Sequence, residues 1–243
     1  MPTVATRHKT AAALGLLLPL LGAGVCFADD CGPSVYAYEN RVVFYSCDKT
    51  GALGLNIVVL EDGSDLKIAG RVAVTAKRSF DAAAHFKDQL LILTWDRVEV
   101  FDTTDPAHPS SVATFAMKKQ GKFQGYDRIE KESENSFLVL SGLGSGEVSL
   151  AADAAKWTFK DIDRTPAHDK MVRAEPPESR LSREIQDVPI PLQETAKFRY
   201  ELVWKDKTRP GEVLHREYLR KVNKATQRSV SALLLGERLE TID

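Results

Sequence analysis

The sequence predicts an all-β chain. It is built from propeller-like repeats, each an antiparallel unit of three to four strands, and it ends in a C-terminal β-meander. Two observations predict this. Short runs rich in Val, Ile, Leu and aromatic residues recur through the middle of the chain, separated by polar turns. Their order returns with a step in the forties, which is the range of one propeller blade. The physical reason for such repetition is that a single unit cannot cover both of its apolar faces, so neighbours must stack on it.

Ahead of the repeats, Arg7 and Lys9 precede an apolar run, AAALGLLLPLLGAGVCF (residues 11–27), that closes on Ala28 before Asp29-Asp30. This is the pattern of a secretory leader cut after Ala28. The run is about 17 residues, at the short limit for spanning a bilayer, which favours a leader over an anchor and predicts no membrane insertion after cleavage. Bulky Val25 before Cys26 argues against a lipid-modified cysteine. The expected location is therefore periplasmic or secreted. Of the three cysteines, Cys26 leaves with the leader, and Cys31 and Cys47 remain to pair in an oxidising compartment. That bridge would close a loop of about 16 residues, worth on the order of 3 kcal/mol in the chain-entropy account. Two of the 33 basic residues also leave, so 31 remain against 34 acidic ones. No strongly basic field exists, which argues against nucleic acid or anionic lipid as a partner.

The first unit, about residues 31–79, holds RVVFYS (41–46), NIVVL (56–60), the turn EDGSD (61–65) and RVAV (71–74). The second, about 80–125, repeats the order as LLILTW (90–95), VEVF (98–101), DTTDPAHP (102–109) and SVATFAM (111–117). The third, about 126–163, has SFLVLSG (136–142), EVSLAA (147–152) and WTFKDI (157–162). Five of the eleven prolines fall in 164–195, which reads as a linker or long loop. Residues 196–243 read as a meander with a hairpin at Pro210-Gly211. Leu214, Tyr218 and Val222 also fit a helical stripe, and the strand reading of 213–222 rests on the strand patterns at either side. This segment either closes the ring of units or leaves an open β-assembly.

Residues 88–115, DQLLILTWDRVEVFDTTDPAHPSSVATF, resemble an LVIVD-type propeller repeat. In that resemblance Val98, Val100 and Phe101 supply the apolar positions, and Asp102, Asp105, Pro106 and Pro109 supply the turn. The first and third units keep the strands and lose the turn. The resemblance implies architecture over about half of the chain and implies no catalytic residue.

Asp96, Asp102, Asp105 and His108 crowd into this copy and raise the question of a metal or acid/base centre. Asp96 and Asp102 would lie about 20 Å apart on an extended strand, so nothing makes them converge. Aspartates in turns accept bonds from nearby N–H groups, and prolines fix φ, so punctuation is the better account. His85, His108, His168 and His215 are scattered without ligand spacing and read as surface or turn residues. GLGSGE (142–147) is followed by a strand rather than a helix, so it reads as a hairpin loop and not a phosphate cradle. No GxSxG motif is present. No catalytic, metal or cofactor residue is assigned.

What remains is a surface for another protein. Trp95, Trp157 and Trp204 read first as core and second as aromatic anchors at a rim. Lys118, Lys119, Lys122 and Arg216, Arg220, Lys221, Lys224 read as solvated faces able to meet an acidic partner. The favoured expectation is an exported, non-catalytic module binding one protein of the cell envelope, for example as an inhibitor or immunity protein against a secreted toxin or hydrolase. An envelope assembly factor is the same class with another partner. The rival is an enzyme or small-ligand binder with a site in the central channel, where the sequence offers only Tyr45, Thr94 and Ser141.

Overall fold

The computed structural model describes residues 34–48, 51–76, 80–118, 128–141, 144–150, 156–162, 189–210 and 212–241. These form sixteen strands in four four-stranded antiparallel sheets, each a simple meander. The first sheet holds β1 (Val35–Tyr38), β2 (Arg41–Cys47), β3 (Leu53–Val59) and β4 (Ile68–Ala73). The second holds β5 (Ala82–Phe86), β6 (Gln89–Thr94), β7 (Arg97–Asp102) and β8 (Ser110–Ala116). The third holds β9 (Arg128–Ser133), β10 (Ser136–Leu140), β11 (Ser145–Leu150) and β12 (Trp157–Asp161). The fourth holds β13 (Ile190–Glu194), β14 (Phe198–Arg209), β15 (Glu212–Asn223) and β16 (Ser229–Thr241). The architecture is all-β and propeller-like, as the sequence predicts.

One backbone device repeats in all four sheets. The turn between the first two strands offers a carbonyl to an N–H just past, or at the end of, the third strand. The pairs are Asn40 O with Leu60 N (2.7 Å), Asp88 O with Thr103 N (2.8 Å), Asn135 O with Leu150 N (2.9 Å) and Lys197 O with Lys224 N (2.9 Å). In the first two sheets that turn is a two-residue loop with a left-handed residue, Glu39 (φ 49°) and Lys87 (φ 51°). Both lead straight into a strand that is buried along most of its length.

The continuous apolar runs exist because the inner strands are covered on both sides. Alternation sends Val42 and Phe44 of β2 toward the fourth sheet, where they meet Tyr200, Leu202 and Leu219. Val43 and Tyr45 point the other way, toward Leu90, Ile92 and Phe101 of the second sheet. In turn, Leu91 and Leu93 face Phe137, Val139 and Trp157 of the third. Each such side chain contributes roughly 1.5–3 kcal/mol on burial. The apolar contacts thus order the sheets fourth, first, second, third. Among the described residues, no apolar cluster joins the third sheet to the fourth.

Two sequence expectations change, and the favoured strand reading of 213–222 holds. The strand that opens each unit is one earlier than the apolar runs suggest: β1, β5 and β9 precede the runs at 41, 90 and 136. The fourth unit begins inside the proline-rich stretch, where Pro191 sits in β13, an edge strand with an irregular register that tolerates a missing N–H. Residues 213–222 are strand throughout, within β15. The leader, Cys31, Lys119, Lys122 and His168 lie outside the described residues.

Lys221 is the largest surprise, because it is 2% exposed rather than solvated. Its ammonium donates to three backbone carbonyls of the β3–β4 turn, Glu61 O (2.7 Å), Asp62 O (2.9 Å) and Ser64 O (2.8 Å). It lies 4.3 Å from the centre of the Phe198 ring. Three donors meet three acceptors, so the buried cation is satisfied. Lys221→Met keeps the stem and removes three part-buried hydrogen bonds to an ammonium, a kind worth roughly 1.5–3 kcal/mol each at most. The expected loss is about 3 kcal/mol in urea unfolding; an unchanged midpoint would remove Lys221 as the clamp between the first and fourth sheets.

Candidate functional site

The fourth sheet differs from the others. Its strands β14 to β16 run 12, 12 and 13 residues, against 4 to 7 in the first three sheets. One face packs on the first sheet through Tyr200, Leu202, Leu219 and Leu235. Alternation places Arg199, Glu201, Val203, Lys205 and Lys207 on the second face. Across the β14–β15 ladder Glu201 stands opposite Arg220, Val203 opposite Tyr218, and Lys205 opposite Arg216. On β16, Ala232, Leu234 and Glu237 stand opposite Arg220, Tyr218 and Arg216.

This second face has a defined geometry. Glu201 is buried and accepts from Arg199 Nε (2.9 Å) and Arg220 Nε (2.7 Å), so both guanidinium groups are held over one carboxylate. Arg216 Nε donates to Glu237 at 2.7 Å. Lys205 Nζ lies 5.7 Å from the Tyr218 ring centre. Leu234 is 41% exposed beside Tyr218, and Val230 on the same strand is 51% exposed. Among the described side chains, five cations on these strands, Arg199, Lys205, Lys207, Arg216 and Arg220, share the face with four carboxylates, Glu194, Glu201, Glu212 and Glu237. An aromatic and aliphatic centre framed by oriented arginines is the composition of a protein-binding patch.

Only part of the sequence-predicted set comes together here. Arg216 and Arg220 lie on the second face. Trp204 is half-buried on the opposite face, against the first sheet. Trp157 is 2% exposed in the core between the second and third sheets, which removes it as an anchor. Trp95 is exposed in the β6–β7 turn, and Lys118 pairs with Asp161 at 3.1 Å near the third sheet, both away from the fourth. The sequence reading missed Tyr218, Leu234, Arg199 and Lys205. The signal was present in the alternation of KFRYELVWKDK, which places Arg199, Glu201, Val203, Lys205 and Lys207 on one side.

Of the polar residues considered for a channel, Tyr45 belongs to the interface between the first and second sheets. Tyr45 is buried and donates to Glu99 Oε2 at 3.0 Å; burial and then the Glu99 carboxylate push its phenol well up. Glu99 also accepts from Thr75 N at 2.7 Å, tying the β4–β5 connection to β7. Thr94 and Ser141 are buried. The described polar nest on first strands is different: Tyr36 OH meets His85 Nδ1 at 3.0 Å, and the Tyr38 and His85 rings stack at 4.8 Å. His85 is therefore half-buried between two sheets, not a surface residue, because β5 turns it toward β1.

The aspartates of residues 96–105 each bond locally. Asp96 receives Arg97 Nε at 2.9 Å. Asp105 receives Ala107 N at 2.9 Å and meets His108 Nδ1 at 2.8 Å. Asp102 receives Thr104 Oγ1 (2.7 Å) and N (2.9 Å), and these bonds hold its carboxyl below the ordinary range. Among the described residues no three of His, Cys, Asp and Glu form a group able to hold a metal.

No family model and no curated protein matches this chain. Solved structures resemble it at 9–10% identity. A chain of the S. cerevisiae complex of a Dbp5 variant with Nup159, a Gle1 variant, IP6 and ADP has a TM-score of 0.34, covering 82% of this chain and 50% of that one. The N-terminal domain of Nup159 has a TM-score of 0.25, covering 81% and 60%. A mutant of the Synechocystis apocarotenoid oxygenase has a TM-score of 0.28, covering 87% and 53%. The chain thus spans 50 to 60% of the length of the solved chains it matches.

Asp102 gives this region a pH-dependent part. Its folded carboxyl titrates below the unfolded one, so its stabilisation is full above pH ~3.9 and is lost as pH falls through the folded value. Asp102→Asn is expected to lower the urea midpoint at pH 7 and to match the parent near pH 2. An equal deficit at both pH values would contradict the assignment.

Proposed function

We propose that this chain is an exported, non-catalytic protein-binding module that meets an acidic surface of one envelope protein through the second face of its fourth sheet. The observation that carries the proposal is the Tyr218–Leu234 centre framed by Arg199, Arg220, Lys205 and Arg216. Complementary charge would speed encounter and orient the partner, and the exposed apolar centre would supply most of the affinity. Bonds to Glu201 and Glu237 already fix three of the arginines, which lowers the ordering cost of binding. An inhibitor or immunity protein that neutralises a secreted toxin or hydrolase suits this arrangement, as does an assembly factor. Export rests on the leader read at residues 1–28, and stapling on a Cys31–Cys47 bridge.

Capture with the tagged full chain from an envelope fraction is expected to recover one stoichiometric protein. The double variant Lys205→Glu, Lys207→Glu is expected to weaken that capture at least tenfold with an unchanged thermal midpoint. Both lysines are chosen because they leave Glu201 and its arginines intact. Recovery of no stoichiometric protein, or equal recovery by the variant, would overturn the proposal. In non-reducing peptide mapping, Cys31 and Cys47 should appear in one linked peptide; free thiols would count against both the bridge and export.

The rival reading, a small-ligand or catalytic site on the inner strands, is favoured by one observation, the Tyr36–Tyr38–His85 nest. It predicts that His85→Ala abolishes activity or ligand uptake while envelope capture is unaffected.

A further inference from the structure

The two edges of the fourth sheet are built differently. β13 forms one edge; it is five residues long, carries Pro191 and has an irregular register between Pro191 and Gln193. These features blunt an edge against further pairing. β16 forms the other edge and has none of them in its outer half. It is 13 residues long, about 43 Å at ~3.3 Å per residue, and contains no proline. The last strands of the other sheets, β4, β8 and β12, are 6, 7 and 5 residues long. Among the described residues β16 pairs with β15 alone.

Its pairing with β15 shifts register at Glu217/Tyr218 and at Lys221/Val222. Between and beyond those shifts run two regular stretches, Ser231–Leu234 and Gly236–Thr241. In each, alternate residues turn their N–H and C=O groups away from β15. Such a row of groups is complementary to one thing above all, another extended chain.

We infer that β16 is a strand-addition edge that takes an extended segment of a partner protein in which apolar and acidic residues alternate. The inference rests on the binding-module reading and names how the partner engages. Apolar residues in the added strand would stand beside exposed Leu234. Acidic residues are favoured by the second face, where, among the described side chains, five cations outnumber three carboxylates, Glu201, Glu212 and Glu237, within about one screening length of the edge. The same excess argues against a second copy of this chain, since pairing two β16 strands would set two cationic faces side by side in one sheet.

The test uses the full chain and three ten-residue peptides: alternating Glu/Val, alternating Lys/Val, and Glu/Val with every second amide N-methylated. The Glu/Val peptide is expected to bind at least tenfold more tightly than Lys/Val in fluorescence anisotropy. It should slow hydrogen exchange across residues 229–241 at least tenfold, and N-methylation should abolish both effects. Equal binding by the N-methylated peptide, or binding without slowed exchange in 229–241, would overturn strand addition. Sedimentation showing that the chain alone dimerises with 229–241 protected would overturn it in favour of a second copy. Failure of every peptide with envelope capture intact sinks only the edge; failure of capture as well sinks the binding-module reading.

Discussion

The placement of the fourth sheet depends on one buried ammonium. Three carbonyls of a single turn satisfy Lys221, from Glu61, Asp62 and Ser64. A cation removed from water tolerates only a narrow set of positions for its acceptors, so the β3–β4 turn and β15 fix each other. Contacts around it tighten the same joint. Thr195 donates to Asp62 at 2.7 Å, and Leu66 N donates to Ser231 Oγ at 3.1 Å. Apolar burial alone is non-directional, and two greasy sheet faces can slide over one another. The ammonium cage supplies the direction, and with it the register between the first sheet and the last.

That constraint decides what the fourth sheet has left over. With Tyr200, Leu202 and Leu219 committed to the first sheet, period-two alternation leaves Arg199, Glu201, Val203 and Lys205 for the other side. The first and second sheets are covered on both faces and have little apolar surface to offer. The uncovered face and the long edge strand therefore both belong to the one sheet whose strands outrun the core.

Much of this was legible in the residues. The turns Glu39-Asn40, Lys87-Asp88 and Glu134-Asn135 each precede a run such as RVVF, QLLIL or SFLVL. Their carbonyls make equivalent bonds in three sheets. The unit step followed from those runs, and the local role of Asp102 and Asp105 followed from the spacing of their neighbours. The opening strand of each unit was not recognised because β1, β5 and β9 are short and mixed in composition: VYAY and AAAHF do not stand out from a loop. β13 was hidden by Pro191, since proline in a strand is tolerated only at an edge, and which strand is an edge is a property of the assembled sheet.

The site was less legible, for a reason that Lys221 and Arg216 illustrate. They lie five residues apart in one strand of alternating basic and apolar character, so they take opposite faces. One is caged and structural, while the other lies on an open face with Glu237. Charge in the sequence is identical for both; the difference arises only when one face is claimed by the first sheet. Trp157 and Trp95 separate in the same way, one in the core and one at a turn. In a repeat protein whose units all bury apolar faces, composition marks the core well. Which face the packing leaves uncovered is decided by long-range contacts between segments such as 61–64 and 221.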